Sequence, residues 1–346
     1  MGKLNKSLVG VAAIGVLGIG LAGCSSSSNS SVGSTSSKKT ITVVFYPNES
    51  AKSFAGSRTA LKKAIEKVTG KTVNLQTTTD YNVAIQAIAS GKAQLAYMGA
   101  NGYIQANHIS KNVKPFATLS DPQGQLKDAT YNSYLMVQKK NAAKYENDGH
   151  YSIKNIKGQR ISYVSNSSTS GYLVPLAEIT REFKVKNDDE LTQNGQFFSK
   201  VLYGGSHQGS AVNLLKGDVD VAAFDDVDLT PYLQVTSGSW SKIGSTFTVK
   251  NNAAAPFTSL KGEQVVDIAK MAVQQGPWVY NSKTLSASDE KKIATEFTSQ
   301  SFANNSDIFS APKAKVAKLF QKASDKTKLV KVTDAWYKPT HKLVGY

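Results

Sequence analysis

Four consecutive hydroxyl residues, Ser167-Ser168-Thr169-Ser170, stand before Gly171 and an apolar stretch of helical spacing that starts at Tyr172. One Ser or Thr is enough to cap a helix, because its side chain accepts a bond from one orphan backbone N–H. A cap within a solvated serine turn explains part of the run, and the surplus hydroxyls point to a ligand. The preceding Arg160-Ile161-Ser162-Tyr163-Val164 reads as a short strand, so Ser168, Thr169, Ser170 and Gly171 form a strand-to-helix loop. Free N–H groups and hydroxyls converge there, and the helix dipole adds about half a positive charge. An oxyanion held at this point needs no Lys or Arg.

Three further groups suit the same chemistry. Gly204-Gly205-Ser206-His207-Gln208 opens a second helix, over Ser210 to Leu215, and places His207 at its start as a donor or a cap. The apolar run from Val219 to Phe224 delivers Asp225 and Asp226 to the end of a sheet. A carboxylate there accepts the P–OH proton of a phosphonate, phosphite or hydrogen phosphate and repels a fully deprotonated sulfate; the alternative is a helix N-cap. Tyr81 follows Thr77-Thr78-Thr79-Asp80, Tyr131 opens a strand, and Tyr97 and Tyr103 flank Met98-Gly99-Ala100-Asn101-Gly102. Each phenol offers a donor.

Signatures of catalysis and of metal binding are missing. No His-Glu-x-x-His occurs, and His108, His150, His207 and His341 share no ligand spacing. Gly70-Lys71-Thr72 resembles the end of a phosphate loop, but Ile65 stands where its first Gly belongs. Gly205-Ser206-His207 lacks the Gly-x-Ser-x-Gly elbow. Neither an enzyme, a cofactor nor a metal site is expected.

The elements that must position these residues alternate. Ile41 to Tyr46 reads as a strand closed by Pro47-Asn48. Ala60, Leu61, Ala64, Ile65 and Val68 follow helical spacing up to Gly70, and strand-like, helix-like and strand-like segments follow to Met98. This pattern predicts an α/β fold of mostly parallel sheets flanked by helices. Residues 84–101 and 211–228 echo one another as helix, Gly, strand and polar loop, pairing Gly91 with Gly217 and Gly99 with Asp225. The echo predicts two similar lobes. Tyr131 to Lys140 would carry the chain across and Ser245 to Val249 would return it, giving lobe one over 40–137 and 249–346 and lobe two over 138–248. Helical patterns at Val265 to Gln274, Ile293 to Phe297 and Val316 to Phe320 would pack onto lobe one. A ligand would lie in the cleft between the lobes, beyond the strand ends.

The chain's 346 residues suffice for two domains, and its formal charge of +16 is spread over Lys residues that occur singly or in pairs. That spacing excludes a nucleic-acid stripe. At the N-terminus, Lys3 and Lys6 precede the apolar run Leu8 to Leu21 and the small residues Ala22-Gly23, which predicts a signal peptide over 1–24. Leu21-Ala22-Gly23-Cys24 resembles a bacterial lipobox, implying cleavage before Cys24, the only cysteine, and a diacylglyceryl group on its sulfur. Two acyl chains are enough for stable anchoring. Ser-rich 25–39 then reads as a flexible tether.

YPNES after the first strand, TTDYNVAIQAIASGKAQLAYMG, YNSYLMVQK, SSTSGYLVP and GSHQGSAVNLLKGDVDVAAFDD together resemble the phosphonate-binding family of bacterial ABC-importer solute receptors, which includes phosphite- and phosphate-binding members. The resemblance implies a two-lobed type II periplasmic-binding-protein fold. It also implies a small phosphorus oxyanion as ligand, an ABC permease and its ATPase as partners, a monomer, and a place on the outer face of the membrane. By matching position, Ser168, Thr169 and Ser170 hold the oxyanion, Tyr81, Tyr131 and His207 face it, and Asp225 or Asp226 falls where many members keep an acid. Members that take aminoalkyl phosphonates hold the amine with carboxylates; here those positions read Val227 and Ala255, and Gln208 replaces an acid of several relatives. The resemblance therefore favours a ligand without an amine, such as phosphite, methylphosphonate or phosphate. The alternatives are a sulfonate or thiamine-like ligand on the same fold, and a surface phosphatase or esterase using Ser206 or His207.

Overall fold

β-branched and aromatic residues in Thr40–Phe45 build the first strand, and their alternation buries both of its faces. Ile41, Val43 and Phe45 pack with Leu61 and Ile65 of helix Ala55–Thr69 and with Ile293 and Phe297 of helix Ala287–Phe297. Val44 points the other way, to Tyr81, Ile85 and Ile88 of helix Tyr81–Ala89 and to Tyr103 of helix Ala100–Ile109. The computed structural model describes residues 39–48, 54–312, 314 and 318–345. The expected signal peptide, Cys24 and the tether up to residue 38 lie outside them.

Two large sheets carry the fold. The first runs, edge to edge, Leu329–Lys331, Val113–Leu119, Pro277–Asn281, Leu95–Tyr97, Thr40–Phe45 and Thr72–Thr77. The second runs Leu233–Ser237, Thr246–Val249, Gln264–Gln274, Thr130–Gln138, Val221–Asp225, Arg160–Tyr163 and Lys200–Tyr203. It too is buried on both faces. Leu135, Val137, Val221 and Ala223 meet Leu176 and Ile179, while Tyr134, Met136, Ala222 and Phe224 meet Leu214, Leu215 and Phe247. The expected two-lobed α/β architecture is present.

Several expectations need correction. The sheets are mixed instead of mostly parallel: Thr40–Phe45 pairs in parallel with both its neighbours, and Arg160–Tyr163 does the same. All other pairings in the two sheets are antiparallel. Residues 264–274 form an eleven-residue strand, not a helix. Burial on both faces makes Val265 to Val273 a nearly continuous apolar run, in which helical and strand periods cannot be told apart. Phe320 is likewise in a short strand, Phe320–Gln321, while residues 315–317 lie outside the described set. By sheet membership the second lobe takes in both Thr130–Gln138 and Gln264–Gln274, so it starts earlier and ends later than the expected 138–248. The chain crosses over 119–130 and returns over 274–277, and the two crossings touch where Gln275 N–H donates to the Ala129 carbonyl at 3.0 Å.

The echo between the halves is real in three dimensions. Gly91 and Gly217, each just beyond a helix, have φ of 76° and 82°, left-handed values that a glycine takes without a Cβ penalty.

Candidate ligand-binding site

The strand ends of the two lobes face one another across a cavity of about 70 Å³. Tyr46, Asn48, Tyr81, Tyr97, Met98 and Gly99 line it from the first lobe; Ser168, Thr169, Ser170, His207, Asp225 and Asp228 line it from the second. Tyr131, Val227, Gln275 and Gly276 complete the wall. Allowing about 10–15 Å³ for each water-sized group, the space takes roughly five to seven such groups, enough for one tetrahedral anion. No Lys or Arg occurs among the described lining residues.

Ser168 to Ser170 are buried, each about 2 % exposed, so they do not form a solvated turn. The Ser168 hydroxyl caps the following turn by accepting from Gly171 N–H at 3.0 Å. Residues Thr169–Leu173 make one π-helical turn before helix Val174–Phe183. A π turn closes one residue later than an α turn, so it leaves one more N–H free at its mouth. The Thr169 hydroxyl accepts from Asn101 N–H of the other lobe at 2.9 Å, which turns its own proton elsewhere.

A hydrogen-bond chain runs along the cavity floor. Tyr131 OH donates to Ser170 Oγ at 3.0 Å, and Ser170 Oγ donates to Asp225 Oδ2 at 3.0 Å. Burial pushes the Asp225 carboxyl up to about 7, against the opposing bonds from Asp228 N–H and the Ser170 hydroxyl. Asp225 also caps the short helix Asp226–Leu229 by accepting from Asp228 N–H at 2.9 Å, so both readings of this residue hold at once. His207 is fully enclosed, and burial lowers its imidazole to about 3, so the ring is neutral. Its tautomer is fixed: Asp225 N–H donates to Nδ1 at 3.1 Å, which leaves the proton on Nε2. Nε2 lies 3.3 Å from Asp225 Oδ2 and 3.8 Å from Asp228 Oδ2.

That tautomer decides two questions. His207, Asp225 and Asp228 hold their ligating atoms within 4.8 Å of one another, a spacing compatible with a cation. Yet a metal at Nε2 would have to displace the proton of a ring whose other nitrogen already accepts a bond, so the triplet does not suit a metal. Ser170 Oγ sits 3.4 Å from the same Nε2, but a protonated nitrogen cannot act as its general base. Ser206 is occupied as a cap, accepting from Gly209 N–H at 3.0 Å.

Most of the expected site residues are brought together, and Asp226 is not. Asp226 lies off the cavity, held by Asn132 Nδ2 at 2.8 Å and Asn132 N–H at 3.3 Å. Tyr97 lines the cavity, whereas Tyr103 is committed to Asp334 in the first lobe. Ala255 lies exposed in a loop, away from the cavity. Gln208 is outside the lining and reaches across to the Asn48 carbonyl at 3.0 Å. Sequence reasoning missed Asn48, Tyr46, Asp228 and Gln275. Only the echo of residues 84–101 with 211–228 gave a handle on such loops, since it ends at Asp228.

The lobes are joined around this cavity. Ser167 Oγ lies 2.9 Å from both Asn82 Oδ1 and Gln105 Oε1 of the first lobe, and its one proton goes to one of them. Asn101 Nδ2 reaches the carbonyls of Asn166 and Ser168 at 3.3 and 3.4 Å.

Comparison with known proteins bears on this arrangement. The model of a family described as "ABC transporter, phosphonate, periplasmic substrate-binding protein" matches residues 43–337, from the first strand to the last turn before the C-terminal helix. The chain belongs to this family. A phosphate-import protein, PhnD, of Mycolicibacterium smegmatis is 26 % identical over 228 residues, covering 63 % of this chain and 68 % of its own. Among solved structures, the binding component of an ABC phosphonate transporter from Pseudomonas aeruginosa superposes with a TM-score of 0.64 at 20 % identity, over 88 % of this chain and 85 % of that one. PhnD1 of Prochlorococcus marinus, in complex with methylphosphonate, gives 0.64 at 16 % identity, over 88 % and 97 %. These likenesses establish the type II binding-protein fold, and membership makes the chain the phosphonate/phosphate substrate-binding component of an ABC importer.

Proposed function

We propose that this binding protein captures a small phosphorus oxyanion without an amine, namely phosphite, methylphosphonate or phosphate. It does so at the outer face of the membrane, anchored through Cys24, and hands the anion unchanged to its permease. The observation that carries the reading is the lining of the cavity: hydroxyl and imidazole donors, two carboxylates and, among the described residues, no cation. A site of this kind stabilises an anion with neutral donors and accepts a P–OH proton on Asp225. Ser168, Thr169, Tyr81 and His207 supply the donors, and Ser170 and Tyr131 join them when the anion takes over the protons they direct towards Asp225 and Ser170. Sulfate, which has no proton to offer, meets a repelling carboxylate wherever Asp225 is ionised, above the pH of about 7 to which burial raises it.

The wall argues against an aminoalkyl chain: Val227, one of the positions at which aminoalkyl-phosphonate members hold the amine with a carboxylate, lines the cavity. The carboxylate of Asp228 stands in the same wall, and the aminoalkyl compound in the titration below tests whether it holds an amine. The relative named for phosphate import agrees with the small-anion reading. Hydrolysis is disfavoured by the fixed His207 tautomer and the capping role of Ser206. A micromolar affinity corresponds to about 8 kcal/mol, within reach of several charge-assisted bonds in a closed cleft.

Isothermal titration against phosphite, methylphosphonate, phosphate, 2-aminoethylphosphonate and sulfate tests the proposal. Micromolar or tighter binding of at least one of the first three, with the last two at least about 100-fold weaker, is the expected result. Preference for the aminoalkyl compound, or equal binding of sulfate, would remove it.

A further inference from the structure

Asn48 is a buried amide in the turn after the first strand, about 6 % exposed, and it lines the cavity. Its Nδ2 donates to Tyr81 OH at 2.6 Å within the first lobe. Its Oδ1 accepts, at a long 3.4 Å, from the backbone N–H of His207, the first residue of helix His207–Lys216 in the second lobe. Its carbonyl accepts from Gln208 Nε2 of the same helix. An amide has one accepting and one donating end, so fixing either end fixes the other.

We propose that Asn48 couples closure of the lobes to the direction of the Tyr81 hydroxyl proton. In the closed form the N–H of His207 holds the amide oxygen, which turns the amide nitrogen onto Tyr81. The Tyr81 oxygen then accepts a hydrogen bond from Asn48, and its own O–H is left to donate into the cavity. With the lobes apart, the His207 N–H is gone, the amide is free to rotate, and its oxygen competes for the Tyr81 proton. The full set of donors therefore exists only in the closed state. Tyr46 stacks on Tyr81 with ring centroids 4.0 Å apart and keeps the phenol from swinging away. Asn48 is thus a positioning residue acting through Tyr81, and this inference rests on the oxyanion-receptor reading above.

A double-mutant cycle with Asn48→Leu and Tyr81→Phe, titrated with whichever of phosphite, methylphosphonate and phosphate binds the wild type most tightly, tests it. Leu keeps the branched heavy-atom skeleton of Asn and removes both polar ends of the amide. Each single variant should weaken binding by about tenfold or more, and the double variant should be no weaker than the worse single one, because both changes remove one directed donor. Small-angle scattering with saturating anion should show that all three variants still close. Losses that multiply in the double variant would overturn the coupling while leaving the receptor reading intact. Failure of the wild type to bind any of the three anions would remove both. If Asn48→Leu does not fold, Asn48→Ser serves the same cycle, since its hydroxyl is too short to reach both partners.

Discussion

Replacing Asp225 by Asn isolates the carboxylate that the account uses for discrimination. In the folded protein Asp225 Oδ2 accepts from Ser170 Oγ at 3.0 Å and Oδ1 accepts from Asp228 N–H at 2.9 Å. Asn retains the shape and the capping oxygen, so the helix Asp226–Leu229 should persist. What disappears is a charged acceptor for a P–OH proton, a bond worth about 1.5–3 kcal/mol. Selectivity for phosphite over sulfate should therefore fall by about 10- to 100-fold, partly because sulfate binding improves. The assay is competition titration of the two anions on wild type and variant. Unchanged selectivity would refute the assignment of the proton acceptor to Asp225.

The same variant has a stability signature whose sign is fixed. Burial raises the Asp225 carboxyl to about 7, above its unfolded value of 3.8. The folded state thus binds the proton more tightly, and this group's contribution favours folding less as pH rises from about 4 to about 7, then stays constant. Asp225→Asn abolishes that loss. Its melting temperature relative to wild type should climb across this interval and level off above it; a difference independent of pH would contradict the burial argument.

Other expectations follow from single contacts. A Cβ on Gly99 would stand 2.7 Å from Thr169 Oγ1, the hydroxyl that ties the lobes through Asn101 N–H, so Gly99→Ala should impair closure and weaken anion binding by at least about tenfold without unfolding the lobes. Scattering that shows ordinary closure in this variant would argue against a tight fit there. Lys71 Nζ meets Asp289 Oδ2 at 2.6 Å, both side chains largely buried, so Lys71→Met should cost about 1–3 kcal/mol in urea denaturation by leaving the carboxylate with the Ser286 hydroxyl but no cation in contact; a loss below about 0.5 kcal/mol would show the pair to be dispensable. Cys24→Ser should shift the protein from the detergent phase to the aqueous phase in a partition assay of native cells, and continued membrane retention would exclude the thiol as the anchor point.

How far the sequence could be read depended on where chemistry coincided with a periodic element. Ser168 to Ser170 were legible because four hydroxyls exceed what a helix end requires, and the loop does line the cleft. His207 and Asp225 were legible because one opens a helix after the Gly204-Gly205-Ser206 turn and the other ends an apolar strand. Asn48 was hidden: Pro47-Asn48 reads as turn punctuation, and nothing in one turn reports that a second lobe closes over it. Asp228 was hidden by the four-residue helix Asp226–Leu229, too short to show a face. Asp226 was included because its neighbour is indistinguishable from it in sequence, and only the bond to Asn132 separates them. The lobe boundaries were misplaced for a related reason. Thr130–Gln138 reads correctly as a strand, but its pairing partners decide its sheet and local sequence does not report them; Gln264–Gln274 is mostly buried in the same sheet, and burial of that kind erases the period that marks a strand.

A crystal structure grown with phosphite or methylphosphonate tests the central claim most directly. The account predicts a tetrahedral anion in the interlobe cavity, with hydroxyl donors of residues 168–170 and His207 Nε2 on its oxygens and an Asp225 carboxylate oxygen within hydrogen-bond distance of one of them. An anion bound elsewhere, or one in the cavity whose oxygens all avoid Asp225, would contradict it.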